Sequence, residues 1–163
     1  MDTILLKIDK IKGNSALTGH ADQIILSSYS FGIQLPMNPD PSATERTLGR
    51  AMFSEVHCTK ITDLATPSLY RACAAGDKLG DATISIGRTE NGKFMELMTY
   101  VLSDAMVSNV NTSGAGQPSD AFAIGYSKIT AVYTQQKTDS TQKGKTSFGW
   151  DVAADADAAP AAS

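Results

Sequence analysis

The sequence predicts a mainly β domain, an antiparallel sandwich or small barrel with one short α-helix near 67–75. Three observations lead there. Apolar residues alternate with a period of two over most of the chain, turn residues separate these runs at short intervals, and one stretch alone has helical spacing between start and stop residues. No strand–helix–strand rhythm runs through it, which argues against a parallel sheet. The 163 residues suit one domain, and a hydrophobic fraction of 42% is enough for one core.

Residues 3–9 alternate around Ile4, Leu6 and Ile8. Over 24–35, Ile25, Tyr29, Phe31, Ile33 and Leu35 fall on one face; Ile24 and Leu26, then Ser28, Ser30, Gly32 and Gln34, fall on the other. One continuous strand would therefore bury its aromatic side and show a small polar surface. Pro36, Pro39 and Pro41 then stop the ladder. A loop over 36–50 is long for a compact domain. It is either a plain surface loop or an arm that orders against a neighbouring molecule, with Pro39, Asp40, Glu45, Arg46 and Arg50 as its contact residues.

A strand at 51–60 places Val56 and Cys58 inward. The helix follows: Thr66 as N-cap, Pro67 at the first helical position, Leu69, Ala72 and Cys73 as a narrow apolar stripe, and Gly76 at the left-handed C′ position. Over 82–88, Ala82, Ile84 and Ile86 share one face and Thr83, Ser85 and Gly87 the other. Asn91-Gly92 signals a type I′ hairpin into a strand over 93–103. Asp104-Ala105 breaks it, 106–111 resumes, and 112–118 is a loop. The parity of Phe122, Ile124 and Tyr126 differs from that of Ile129, Ala131 and Tyr133, which predicts a β-bulge near Ser127-Lys128. Residues 135–145 read as a turn region, and Phe148, Trp150 and Val152 as a last strand. The tail over 153–163 has nothing to bury and is expected to be disordered.

Composition limits the chemistry. Fourteen basic against seventeen acidic residues give a formal charge of −3, with no basic field for nucleic acid. Residues 1–10 do not read as a secretory signal, because Asp2 precedes a short apolar run that Lys7 and Asp9 interrupt. No run approaches the ~20 apolar residues of a membrane helix. Cys58 and Cys73 read as structural thiols; with His20 and His57 they lack metal-site spacing. His57 and Cys58 are neighbours on a strand, so their side chains point apart and cannot pair. The loop Ser113-Gly114-Ala115-Gly116 lacks the Lys-Ser/Thr of a phosphate loop. Asp2, Asp9, Asp155 and Asp157 read as solvated charges. No catalytic, metal or cofactor residue emerges, and the protein reads as a non-enzyme. From the residues alone, a β-barrel carrier of a small apolar ligand is the competing function.

Several short motifs, in order, resemble those of the haemolysin-coregulated protein (Hcp) family of type VI secretion. They are Ile4-Leu5-Leu6-Lys7-Ile8 with Ile11-Lys12-Gly13-Asn14-Ser15; His20-Ala21-Asp22-Gln23-Ile24 with Ser28-Tyr29-Ser30-Phe31-Gly32; and Thr59-Lys60, Asp63, Thr66-Pro67-Ser68-Leu69, Ala72-Cys73 and Gly76. Val107-Ser108-Asn109-Val110 and Phe148-Gly149-Trp150-Asp151 echo further family strands. The chain departs at Tyr29 and Phe31, where tryptophan is common, and in its proline-rich 36–50 loop.

The resemblance implies an antiparallel two-sheet β-barrel with a flanking helix, one tube domain over 1–152. It implies homohexameric rings that stack into the inner tube of a contractile machine, with the spike protein and sheath as partners. It also implies secreted effector proteins bound in the channel, and no cofactor. Such a protein is assembled in the cytoplasm and expelled without a cleaved signal. A channel wall of small polar side chains would use Ser28, Ser30, Gln34, Thr83 and Ser85; the competing reading is that these residues face bulk water.

Overall fold

The computed structural model describes residues 2–42, 44–136 and 142–158. Alternation produces the predicted strands, and they assemble into antiparallel sheets. In chain order the elements are β1 (Asp2–Ile8), β2 (Ile24–Leu26), β3 (Ser28–Ser30), β4 (Ile33–Gln34), β5 (Met52–Phe53), β6 (Val56–Ile61), α1 (Thr66–Ala75), β7 (Ala82–Glu90), β8 (Lys93–Ser103), β9 (Met106–Ser113), β10 (Ser119–Gly125), β11 (Lys128–Gln136), β12 (Gln142–Asp151) and β13 (Ala156–Asp157). A seven-stranded sheet runs β13-β12-β11-β8-β7-β1-β2 and a four-stranded sheet β3-β6-β10-β9; β4 and β5 form a separate ribbon. The two large sheets pack face to face. Leu6, Ile24, Ile84, Leu102 and Ile129 from one meet Val56, Cys58, Phe122 and Ile124 from the other. Tyr29 and Phe31 lie against Tyr100 across the gap, ring centroids 5.5 and 5.2 Å apart. The architecture is the expected mainly β, antiparallel two-sheet fold with one short helix, although its hydrogen bonding does not close into one continuous barrel among the described residues.

The chain passes between the sheets in mid-strand, and this corrects two expectations. Ile24 and Leu26 are buried in the seven-stranded sheet while Ile25 is 46% exposed. At Ser27, whose N–H donates to Thr59 O, the chain enters the four-stranded sheet, and from there Tyr29 and Phe31 face the core. The single strand over 24–35 is therefore three short ones, and its inward face changes parity. The same reason removes the bulge expected near Ser127-Lys128. β10 belongs to the four-stranded sheet and β11 to the seven-stranded one, so the parity change marks a change of sheet.

Asn91 and Gly92 both take positive φ between β7 and β8, as a type I′ turn requires. Leu69 and Ala72 bury the helix stripe, and Gly76 ends α1 in the left-handed conformation. A helix of ten residues depends on such docking. Its N-cap is Ala65, not Thr66; Thr66 is the first helical residue, and its hydroxyl is engaged elsewhere.

Residues 153–158 also depart from the expected disordered tail. They turn back as β13 beside β12, with Trp150 opposite Asp157. Backbone pairing holds this segment where side-chain burial could not. Gly149 permits it, since a Cβ there would lie 2.1 Å from Ala158 O. The turn expected over 135–145 falls partly on residues 137–141, and the end of the tail on 159–163; both lie outside the described residues.

Candidate functional site

The outer face of the four-stranded sheet is set by strand alternation. β6 turns Val56, Cys58 and Lys60 inward and His57, Thr59 and Ile61 outward. Register builds two cross-strand rows on the outside: Ser30–His57–Ala123–Asn109 and Ser28–Thr59–Ala121–Asn111. The side chains are hydroxyls, amides, methyls and one imidazole. Ser28 and Thr59 hydroxyls share a hydrogen bond, and the Asn111 amide donates to Asn109 Oδ1 at 2.8 Å. Between the β6 and β9 side chains lies a shallow depression of about 130 Å³, floored by Ala121 and Ala123.

Of the residues predicted for a channel wall, Ser28 and Ser30 stand together on this face. Gln34 is exposed on the β4–β5 ribbon. Thr83 and Ser85 lie on the outward side of the other sheet, where Ser85 is only 5% exposed. His57, Thr59, Asn109 and Asn111 complete the face and were missed. Parity alone marks them outward, but only register shows that they join Ser28 and Ser30.

Directly behind this wall the same strands carry charge. Lys60 and Asp120 are cross-strand neighbours facing α1, with fully buried side chains. Lys60 Nζ donates to Asp120 Oδ2 (2.7 Å), Asp63 Oδ1 (2.7 Å) and Thr66 Oγ1 (2.8 Å), which uses all three of its protons. Asp120 Oδ1 accepts from Thr62 and Thr112, and Oδ2 also accepts from Thr66. Tyr70 of α1 bonds Thr112 in turn. Burial pushes the Asp120 carboxyl up, but the bonds from Lys60, Thr66, Thr112 and Thr62 outweigh it and bring it down to about 2. Asp63 also accepts from Ala65 N–H, so the cluster fixes the start of α1. The motif from Thr59-Lys60 through Asp63 to Thr66-Pro67 is thus a structural anchor. Cys58, beside it, is pushed up to about 12 by burial, which leaves its thiol protonated and inert.

The 36–50 segment is the middle of an extended hairpin. Ser54 N–H donates to Gly32 O, Leu48 N–H to Pro36 O and Asn38 N–H to Arg46 O, carrying the pairing outward from the β4–β5 ribbon. Asn38 and Asp40 close the tip by accepting backbone N–H bonds two residues ahead. Pro39, Asp40, Glu45, Arg46 and Arg50 are all exposed. Arg50 is held within the chain, donating to Val152 O at 2.6 Å and lying 3.9 Å from Asp155. Phe53 stacks on Trp150, and Tyr126 donates to Ser54 O, so the base is rigidly seated. The projecting part displays Ile33, Leu35, Met37, Leu48 and Met52, each 44–60% exposed. Sequence reading puts Ile33 and Leu35 on the buried face of a single 24–35 strand; they are exposed because the chain leaves the sandwich for the β4–β5 ribbon, and Met37, Leu48 and Met52 were not singled out.

Comparison with known proteins places this arrangement. A family model described as "Type VI secretion system effector, Hcp" matches residues 5–133. Protein hcp1 of Pseudomonas aeruginosa is 24% identical over 153 residues, spanning 91% of this chain and 94% of that protein. The "Major exported protein" of the same organism is 30% identical over 99 residues, 60% of this chain and 56% of the relative. A solved structure described as a type six secretion system protein superposes with a TM-score of 0.89 at 22% identity, covering 97% of this chain and 100% of the other. Hcp1 from Salmonella typhimurium gives 0.79 at 20% identity, with 96% and 99% covered. These two likenesses bear on the fold.

Proposed function

The chain belongs to the Hcp family of type VI secretion, and on that premise we propose that it is a tube subunit, closing into six-membered rings with the outer face of the four-stranded sheet toward the channel. The rings stack into the inner tube, are expelled from the cell together with the spike protein when the sheath contracts, and hold small effectors in the channel. The observation that carries this reading is that, among the described residues, the four-stranded sheet ends in two unclosed edges, β3 and β9. Such edges invite pairing, and a head-to-tail contact between copies satisfies both at once when the circle closes. In that arrangement Ser28 and Ser30 line the channel, while Thr83 and Ser85 face away from it. The carrier alternative needs an apolar chamber between the sheets, and Leu6, Ile24, Ile84, Val56 and Phe122 occupy that space.

Native mass spectrometry tests the ring: a mass six times that of the chain is expected, and a lone chain at high concentration overturns it. The arm is the stacking contact in this reading, since its exposed apolar side chains gain most from cover by another copy. Joining Leu35 to Gly49 through a two-residue Asn-Gly turn should leave rings intact and abolish tubes seen by electron microscopy. Normal tubes from that variant would exclude the arm from stacking.

A further inference from the structure

We propose that the C-terminal turn over 152–157 is a clasp on the arm, closed by Arg50, so that the arm keeps one orientation only while the chain stays folded back as β13. This rests on the stacking reading for what the arm then does, but the clasp itself is complete within one chain.

The outgoing limb of the arm bonds to its returning limb: Ser54 N–H donates to Gly32 O, Gly32 N–H to Ser54 Oγ and Leu48 N–H to Pro36 O. The two limbs therefore move as one piece, and whatever fastens the returning limb sets the angle of both. Tyr126 holds Ser54 O, which makes Ser54 the pivot. Beyond the pivot, two fastenings fall on one stretch of the C-terminal limb. Phe53 stacks on Trp150, with ring centroids 6.3 Å apart and planes 17° from parallel, and the Arg50 guanidinium donates to Val152 O at 2.6 Å. The fold-back holds that carbonyl in place. Val152 N–H donates to Ser127 O, Ala154 N–H to Asp151 Oδ1 and Ala158 N–H to Gly149 O. Asp155 makes the turn with a φ of 52° and comes to 3.9 Å from Arg50; a short polar side chain tolerates this left-handed conformation. β13 is only two residues long, so little backbone pairing keeps it beside β12. Against closure stands Trp150 Nε1, which is buried without a hydrogen-bond partner among the described residues. A buried unpaired donor is unfavourable, and lifting Phe53 admits water to that ring. With these terms opposed, the bond from Arg50 tips the balance toward closure. Coupling between two sites is reciprocal: peeling β13 from β12 frees the arm, and freeing the arm loosens β13.

Trp150 is the single tryptophan of the chain, so its emission reads the clasp directly. In Arg50→Ala the emission should move to longer wavelength and acrylamide should quench it more strongly, with circular dichroism unchanged. Hydrogen exchange at Ala154 and Ala158 should quicken about tenfold, the effect of losing one hydrogen bond to a charged donor. Gly149→Ala opens the clasp from the other side, since its Cβ would lie 2.1 Å from Ala158 O and push β13 away. Trypsin should then cleave after Arg50 faster than in the parent, relative to cleavage after Arg46. Unchanged emission and exchange in Arg50→Ala overturn the clasp, as does cleavage after Arg50 in Gly149→Ala that is no faster than in the parent. Electron microscopy of the same samples scores stacking separately. An open clasp with normal tubes keeps the clasp and removes the arm from stacking; lost tubes with the clasp unmoved do the reverse.

Discussion

On the inner side of the four-stranded sheet, Lys60, Asp120 and Thr112 form one cross-strand row; one residue along each strand, Thr59, Ala121 and Asn111 form the next row, facing out. The first row is charged and fully enclosed at Lys60 and Asp120, whereas the second is neutral and open to solvent at all three positions. This inverts the usual arrangement, in which charge is outside and neutral groups are inside. The difference separates two tasks performed by the same strands. Inside, an ion pair with every proton and most lone pairs engaged fixes the sheet to the start of α1. Outside, small side chains with hydrogen-bonding capacity make a surface that charge does not dominate.

The largest effect should come from breaking the inner row. Asp120→Ala strands the Lys60 ammonium beneath α1 with Asp63 as its remaining anion. Removing one member of a buried pair costs about 3–5 kcal/mol, and urea unfolding should show a loss of that size. Replacing both partners, Lys60→Met with Asp120→Leu, should recover only part of it, because the desolvation of two charges disappears with them while Asp63, nearly buried, loses its cation. A single variant within 1 kcal/mol of the parent, on the order of a surface change, would mean that water reaches the pair.

Acid should act on the same residue more gently. The folded Asp120 carboxyl lies at about 2, below its ordinary value of 3.8. Its contribution is therefore fully present above pH 3.8 and lost as pH falls through about 2. Denaturation followed from pH 5 to pH 2 should show roughly 2 kcal/mol of this loss in the parent. The Asp120→Asn variant should lack that component, and an equal acid response in both would assign the loss to other carboxylates.

The same contrast explains what could be read from sequence. Alternation gave the inside and outside of β6 correctly, because it stays within one sheet, whereas on β7 the expected open face of Thr83, Ser85 and Gly87 is covered at Ser85 and Gly87. It failed around Ser27 and Ser127, where the chain changes sheet and the inward parity changes with it. The motif around Lys60 and Asp63 was visible as part of the family resemblance, but the reading of the 51–60 strand named only Val56 and Cys58 as inward. The partner of Lys60, Asp120, lies sixty residues away, and only strand register brings the two together. Likewise Ser28 and Ser30 were legible as a small polar face, but Thr83 and Ser85 share their chemistry and not their sheet. Local periodicity reports which way a side chain points; it carries no information about which strand lies beside it.

The smallest stability effect, and the sharpest probe of the outer row, is Ser30→Glu. Ser30 is exposed on the edge strand β3 opposite His57. The new carboxylate remains in water and disturbs no core contact, so stability should stay within about 0.5 kcal/mol of the parent. On the channel reading, closure of the ring would repeat that charge six times around a wall that already carries the exposed Glu55 carboxylate, and an acidic effector held there should be released. Co-purification of such an effector with the ring, compared between parent and variant, measures this directly. Retention unchanged in a stable, ring-forming Ser30→Glu protein would mean that the face meets only bulk water, whereas loss of folding would mean that the outer row, like the inner one, is structural.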